Sequence, residues 1–178
     1  MDRAAISTAL RERYAAFAAS VNAISTAKLD VPPNGKWSPA QQLEHIHRAV
    51  RPVALALRVP KWFLRWRFGT PNRAPRTYDA VVARYKEKLA AGGRASGPFI
   101  PPHVAGARVP GLSREVHATV ETLCRRVGRW KETDLDRYLL PHPLLGKITV
   151  REMLYFTIHH AQHHQELVER DQQAVTAS

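Results

Sequence analysis

Apolar residues at Ile6, Leu10, Phe17, Val21 and Ile24 recur at spacings of three, four and seven, with alanines between them. That is the 3.6-residue period of an amphipathic helix, and it predicts one over residues 2–29. The run Asp30-Val31-Pro32-Pro33-Asn34-Gly35 ends it, because proline cannot donate to a helical ladder and Asn-Gly favours a turn. Ser38-Pro39-Ala40-Gln41 then reads as a helix start. Ser38 is placed to cap, Pro39 suits the first helical position, and Gln41 completes a capping box. The second helix is expected from Pro39 towards Leu57, with a kink or an early stop at Pro52.

Between Arg58 and Pro75 the periodicity is lost. Pro60, Gly69, Pro71 and Pro75 interrupt the segment, while Trp62, Phe63, Trp66 and Phe68 are interleaved with Lys61, Arg65 and Arg67. An irregular crossover is expected, with its aromatics in the bundle and its cations in water. A membrane-surface anchor or a single-strand stacking platform would need a continuous face, which the prolines spoil. A short helix follows from Thr77 to about Ala91, capped by Thr77 or Asp79 and stopped by Gly92-Gly93. Residues 94–111, rich in Gly and Pro, read as a long loop of the kind that serves as a lid or binding loop.

Ser113 is the expected cap of a helix whose inner stripe is Val116, Val120, Leu123, Cys124, Val127 and Trp130. Tyr138 to Ile148 reads as an apolar loop, and Thr149 with Glu152 forms a capping box opening a last helix to about Asp171. No stretch alternates as a strand should. The expected fold is all-α: a four-helix bundle with long crossover connections, one domain over residues 1–178.

Composition changes this picture little. A hydrophobic fraction of 44% and a charged fraction of 24% suit a soluble globular domain. Cys124 is the single cysteine, so no disulfide framework exists and a cytoplasmic setting is expected. No signal-peptide plan and no membrane-spanning run is seen, so no membrane partner is expected. The net charge of +12 is the outlier. It fits nucleic acid, acidic small molecules or simply an Arg-rich composition, and the densest cationic patch, Arg58 to Arg76, is the place a nucleic-acid reading would use.

The chemistry is concentrated in the last helix. Four of the nine histidines fall between His159 and His164. His160 and His164 are four apart, so their rings leave one helix face a turn apart, a spacing that lets both grip one metal ion. On a wheel of about 100° per residue, Met153, Thr157, His164 and Leu167 share the side of His160. His159 and His163 fall at a margin, and Tyr155, Ile158 and Gln162 lie opposite. In the second helix His45 lies at the edge of the apolar stripe beside Gln42, Ala49 and Val53, and is the candidate third ligand. Two inward histidines fit a metal site or two core residues bonded to carbonyls equally well. No His-Glu-x-x-His pattern is present, so the metalloprotease signature is absent.

Two blocks carry a family resemblance: Trp37-Ser38-Pro39-Ala40-Gln41-Gln42-Leu43-Glu44-His45-Ile46, and Pro141-His142-Pro143-Leu144-Leu145-Gly146-Lys147-Ile148-Thr149 running into Tyr155 to Leu167. The sequence resembles the DinB/YfiT-like superfamily, with a Trp-Ser start, a histidine eight residues after that Trp, and a His-x-x-x-His pair in the last helix. The resemblance implies a four-helix bundle. It also implies a divalent metal (Zn, Ni, Fe or Mn) held by His45, His160 and His164, with a position open for water or substrate. His142 and His163 are candidates for further polar groups lining the site. A metal-dependent hydrolase or low-molecular-weight-thiol transferase is implied, with a small-molecule substrate, a thiol as candidate cofactor, and pairing into a homodimer. The competing reading is a non-catalytic basic protein that binds nucleic acid or another anionic partner through Arg58–Arg76.

Overall fold

The structure, a computed structural model, describes residues 1–176. Besides four short 3-10 helices, two of them (Gly97–Phe99 and Gly106–Arg108) within the segment read as a long loop, the described residues form seven α-helices and one hairpin: α1 (Arg3–Asn22), α2 (Thr26–Leu29), α3 (Pro39–Ala56), α4 (Lys61–Phe68), α5 (Tyr78–Ala90), α6 (Val109–Arg129), β1 (Leu139–His142), β2 (Gly146–Thr149) and α7 (Val150–Thr176). The long helices α1, α3, α6 and α7 form the bundle, in which α1 and α3 each pack against both α6 and α7. The shorter α5 lies on α7, and α4 lies on β1.

Local sequence accounts for most of these boundaries. Asp2 caps α1, and Ile6, Leu10, Tyr14, Phe17 and Val21 form its buried stripe. The helix stops at Asn22 rather than Leu29; Asn22 and Ser25 are poor helix formers, and a separate turn, α2, carries on to Leu29. The Ser38–Gln41 capping box is present in both directions, and α3 continues through Pro52 to Ala56. Thr77 caps α5. The α6 helix begins at Val109, a turn before Ser113, because Pro110 falls in the first turn, where its missing N–H has no partner to lose. Ser113 instead hydrogen-bonds Asn22 across the bundle.

Two further expectations are corrected. The Arg58–Pro75 crossover contains a helix, α4, which buries Leu64 and turns Trp62 and Trp66 outward at 71% and 73% exposure. Its cations are not all free in water, since Lys61 pairs with Asp134 at 2.6 Å. The Tyr138–Ile148 loop is an antiparallel hairpin in which His142 pairs with Gly146, whose positive φ of 74° closes the turn. Its short strands did not show because Pro141 and Pro143 disguise them. On α7, the positions opposite His160 are buried near the start of the helix, at Tyr155 and Ile158, and half-buried at Gln162. That helix is covered by α1, α3, α5 and the hairpin, so it is buried on every side from Glu152 to Ala161, while Glu166, Glu169 and Arg170 beyond are exposed.

Candidate metal centre

His45 and His160 face each other because α3 and α7 run antiparallel. Gln42 meets His164 and His45 meets His160, and Ala49 and Val53 of α3 line the same cavity as Phe156 and Met153 of α7. The three rings converge on one point. His160 Nε2 lies 3.2 Å from His45 Nε2 and 3.1 Å from His164 Nε2, and all three side chains are buried. Trp37 closes one side, with its ring centroid 4.9 Å from His45 and nearly parallel to His164.

In two of these rings, His45 and His164, the proton is set by the other nitrogen, while Nδ1 of His160 is buried without a partner. His45 Nδ1 lies 2.7 Å from the Phe99 carbonyl and so donates to it. His164 Nδ1 lies 2.5 Å from Gln42 Oε1 and donates likewise. Both Nε2 atoms are therefore bare lone pairs aimed at His160 Nε2. A proton on that nitrogen could satisfy one of them, not both. Burial pushes all three pKa values down, and in the apolar surroundings of His160 and His164 it does so strongly, so the rings stay neutral. Three neutral rings brought this close together could hold one cation between them. The spacing suits one, since two nitrogens each 2.0–2.1 Å from a tetrahedral ion lie about 3.3 Å apart.

The other histidines divide differently from their wheel positions. His159 is buried, contrary to the expected marginal position, because Tyr85 of α5 covers it at 6.1 Å between ring centroids. Its Nε2 has no hydrogen-bond partner, and burial pushes its pKa to about 4. His163 is half-buried and lines the cavity beside the triad. His142 also lines it; its Nδ1 accepts the backbone N–H groups of Leu144 and Leu145, which fixes the ring proton on Nε2.

A cavity of about 950 Å³ opens from the triad, bordered by α3, α4, α5, α7, the hairpin and the loop from Gly93 to Phe99. That loop does reach the site, as its composition suggested. Gln42, Tyr85 and the Phe99 carbonyl are contributors that sequence spacing alone did not single out. Gln42 was visible only as a neighbour of His45 on the wheel. Asp171 is the one carboxylate among the described lining residues, and it is held by Lys36 at 3.2 Å and Arg170 at 3.1 Å.

The sequence profile of the DinB superfamily matches residues 9–168. The chain belongs to the DinB superfamily. Within this DinB-superfamily protein the matched region runs from the first turns of α1 to beyond the triad. Its fold is similar to the crystal structure of a conserved protein from Enterococcus faecalis, with a TM-score of 0.64 and 17% identity over 100% of this chain and 99% of that one. At that identity the likeness concerns the fold alone. No curated protein matches the sequence.

The cationic patch of the competing reading is engaged inside the protein in part, with Arg58, Arg65 and Arg67 exposed. Arg73 and Arg76 both reach the fully buried Glu152, at 2.6 and 3.5 Å, and Lys61 is held by Asp134. Among the described residues, no helix is long and apolar enough to cross a membrane.

Proposed function

We propose that this DinB-superfamily protein is a metal-dependent enzyme acting on a small molecule, with His45, His160 and His164 as the ligands. The observation that carries this reading is the contact of three neutral Nε2 atoms, two of which have their protons fixed on Nδ1. A divalent ion there supplies a Lewis acid able to polarise an oxygen or lower the pKa of a coordinated water or thiol.

The chain's own residues favour the thiol-transferase form over the hydrolase. No carboxylate among the described lining residues stands free to take a proton from water, because Asp171 is engaged by two cations. A thiol needs less help, since its proton leaves more readily. Lys36, Arg94 and Arg170 line the same cavity and outnumber Asp171, which draws an anionic thiol towards the triad. His163, half-buried beside His164, is placed to pass a proton to solvent. The Trp37 and Tyr85 rings restrict water around the triad. Hydrolysis is the second form, and a cytoplasmic location suits both.

Elemental analysis of untagged protein tests the assignment. One divalent ion per chain is expected, lost in both His45→Ala and His160→Ala. Full retention of metal in both variants would overturn it.

A further inference from the structure

The cavity is not uniform along its length, and the triad lies near its middle. From His164 to Asp171 along α7 is seven residues, about 10 Å of helix, and Lys36, Arg94 and Arg170 line that end. From His160 back to Met153 is another seven residues, again about 10 Å, and that end is built differently. Val53 and Met153 form its walls, Phe63 and Leu64 of α4 close it, and Leu140 and Leu144 of the hairpin complete the lining. His142 is the polar side chain that borders it there, with its Nδ1 already occupied by two backbone donors.

The inner face of α4 thus has a use. Its buried and half-buried residues Phe63, Leu64 and Phe68 line the cavity, and Leu64 and Phe68 also join the hydrophobic core. An apolar recess of this length beside a ligand-binding centre is a place for a substrate arm that water would reject. A polar or charged arm would lose its hydration there with almost nothing to replace it.

We propose that the substrate reacting at the triad carries an uncharged alkyl or aryl arm about 10 Å long, which lies in the recess formed by α4, the hairpin and the α3–α7 groove. This rests on the metal-site reading above and adds the substrate class. The triad holds the reacting head, and the recess measures the arm.

Hydroxamates provide the probe, because the head binds a divalent ion and the tail can be varied. Binding of acetohydroxamate and octanohydroxamate to the zinc-loaded full chain is measured by calorimetry, with metal content determined on the same samples. Each methylene transferred into such a lining strengthens binding roughly fourfold, so the longer probe is expected to bind at least about a hundredfold more tightly. Ala56→Phe, which fills the recess from the last turn of α3, and Leu144→Asp, which charges its hairpin wall, should each remove most of that gain. Acetohydroxamate affinity and zinc content should stay unchanged in both.

Equal affinity for the two probes in zinc-loaded protein overturns the recess and leaves the metal site standing. So does a chain-length gain that survives both substitutions. A gain that persists undiminished after zinc is stripped also overturns it, since the tail would then bind without reference to the triad. Failure to take up zinc at all is a failure of the metal assignment and is read directly from the metal analysis.

Discussion

Gln42 reaches from α3 to α7, and its Oε1 lies 2.5 Å from Nδ1 of His164. The contact does two things: it fixes the His164 proton on the outer nitrogen, and it ties together the two helices that supply the triad. Replacing such an outer partner typically weakens metal binding by roughly 10–100-fold. Gln42→Leu is therefore expected to keep the fold, by circular dichroism, and to lose zinc affinity by that factor in a chelator competition. Unchanged affinity would show that the Gln42 contact does not orient the ligand.

Metal should stabilise the protein, because the site assembles only when α3 and α7 are packed. At metal concentrations about a hundredfold above Kd the gain is about 2.7 kcal/mol, worth roughly 5–10 °C in Tm for a chain of this size. Adding EDTA should lower the wild-type Tm by about that much and leave the Tm of His160→Ala unmoved. Scanning fluorimetry reads both.

His142 holds the hairpin turn by accepting two backbone N–H groups. In His142→Leu those donors are left without a partner, at an expected cost of about 1–3 kcal/mol in urea unfolding. His142→Asn can still accept and should cost less. The pH dependence has a definite sign. Burial pushes the His142 pKa down from 6.5 to about 4, so the unfolded chain binds the proton more readily than the folded one. The stability of metal-free protein that depends on neutral His142 is complete above about pH 6.5 and lost as the pH falls towards 4. A shallower acid slope in His142→Asn than in the wild type checks this.

Glu152 is fully buried at the first turn of α7, where it receives both Arg73 nitrogens, the Arg76 backbone N–H and the Thr149 N–H. Burial by itself would raise its pKa, but these donors bring it below the usual carboxylate value. Glu152→Ala leaves that pocket without its charge and frees the segment before α5. A loss of about 2–4 kcal/mol is expected, moderated because Arg73 can turn to water. Zinc stoichiometry should be unchanged, which separates this structural role from a part in the site.

The layout of the bundle was legible because its evidence is local. The stripe from Ile6 to Val21, the Ser38–Gln41 box and the Thr149–Glu152 box are all short-range patterns, and each one formed. The approach of the three histidines was legible from the His160–His164 spacing and the place of His45 on the second helix, with which the family pattern agreed. What stayed hidden depends on distant partners. A wheel cannot show that α5 covers His159, nor that α4 folds as a helix whose outer face leaves Trp62 and Trp66 in water. Gln42 was read as a neighbour, since its role exists only when α7 lies alongside.

The crowding of four histidines into residues 159–164 also bears on how the protein reaches its native state. In a chain not yet folded, these rings can capture an ion among themselves, without His45. Such early ligation would favour unfolded forms and so subtract from the stabilisation expected of metal in the native protein. It also offers His159 and His163 as wrong partners that must be released before α3 docks. Refolding from urea in excess zinc is expected to be slower than refolding followed by zinc addition. The cell's supply of free metal would then govern the rate of maturation as well as occupancy.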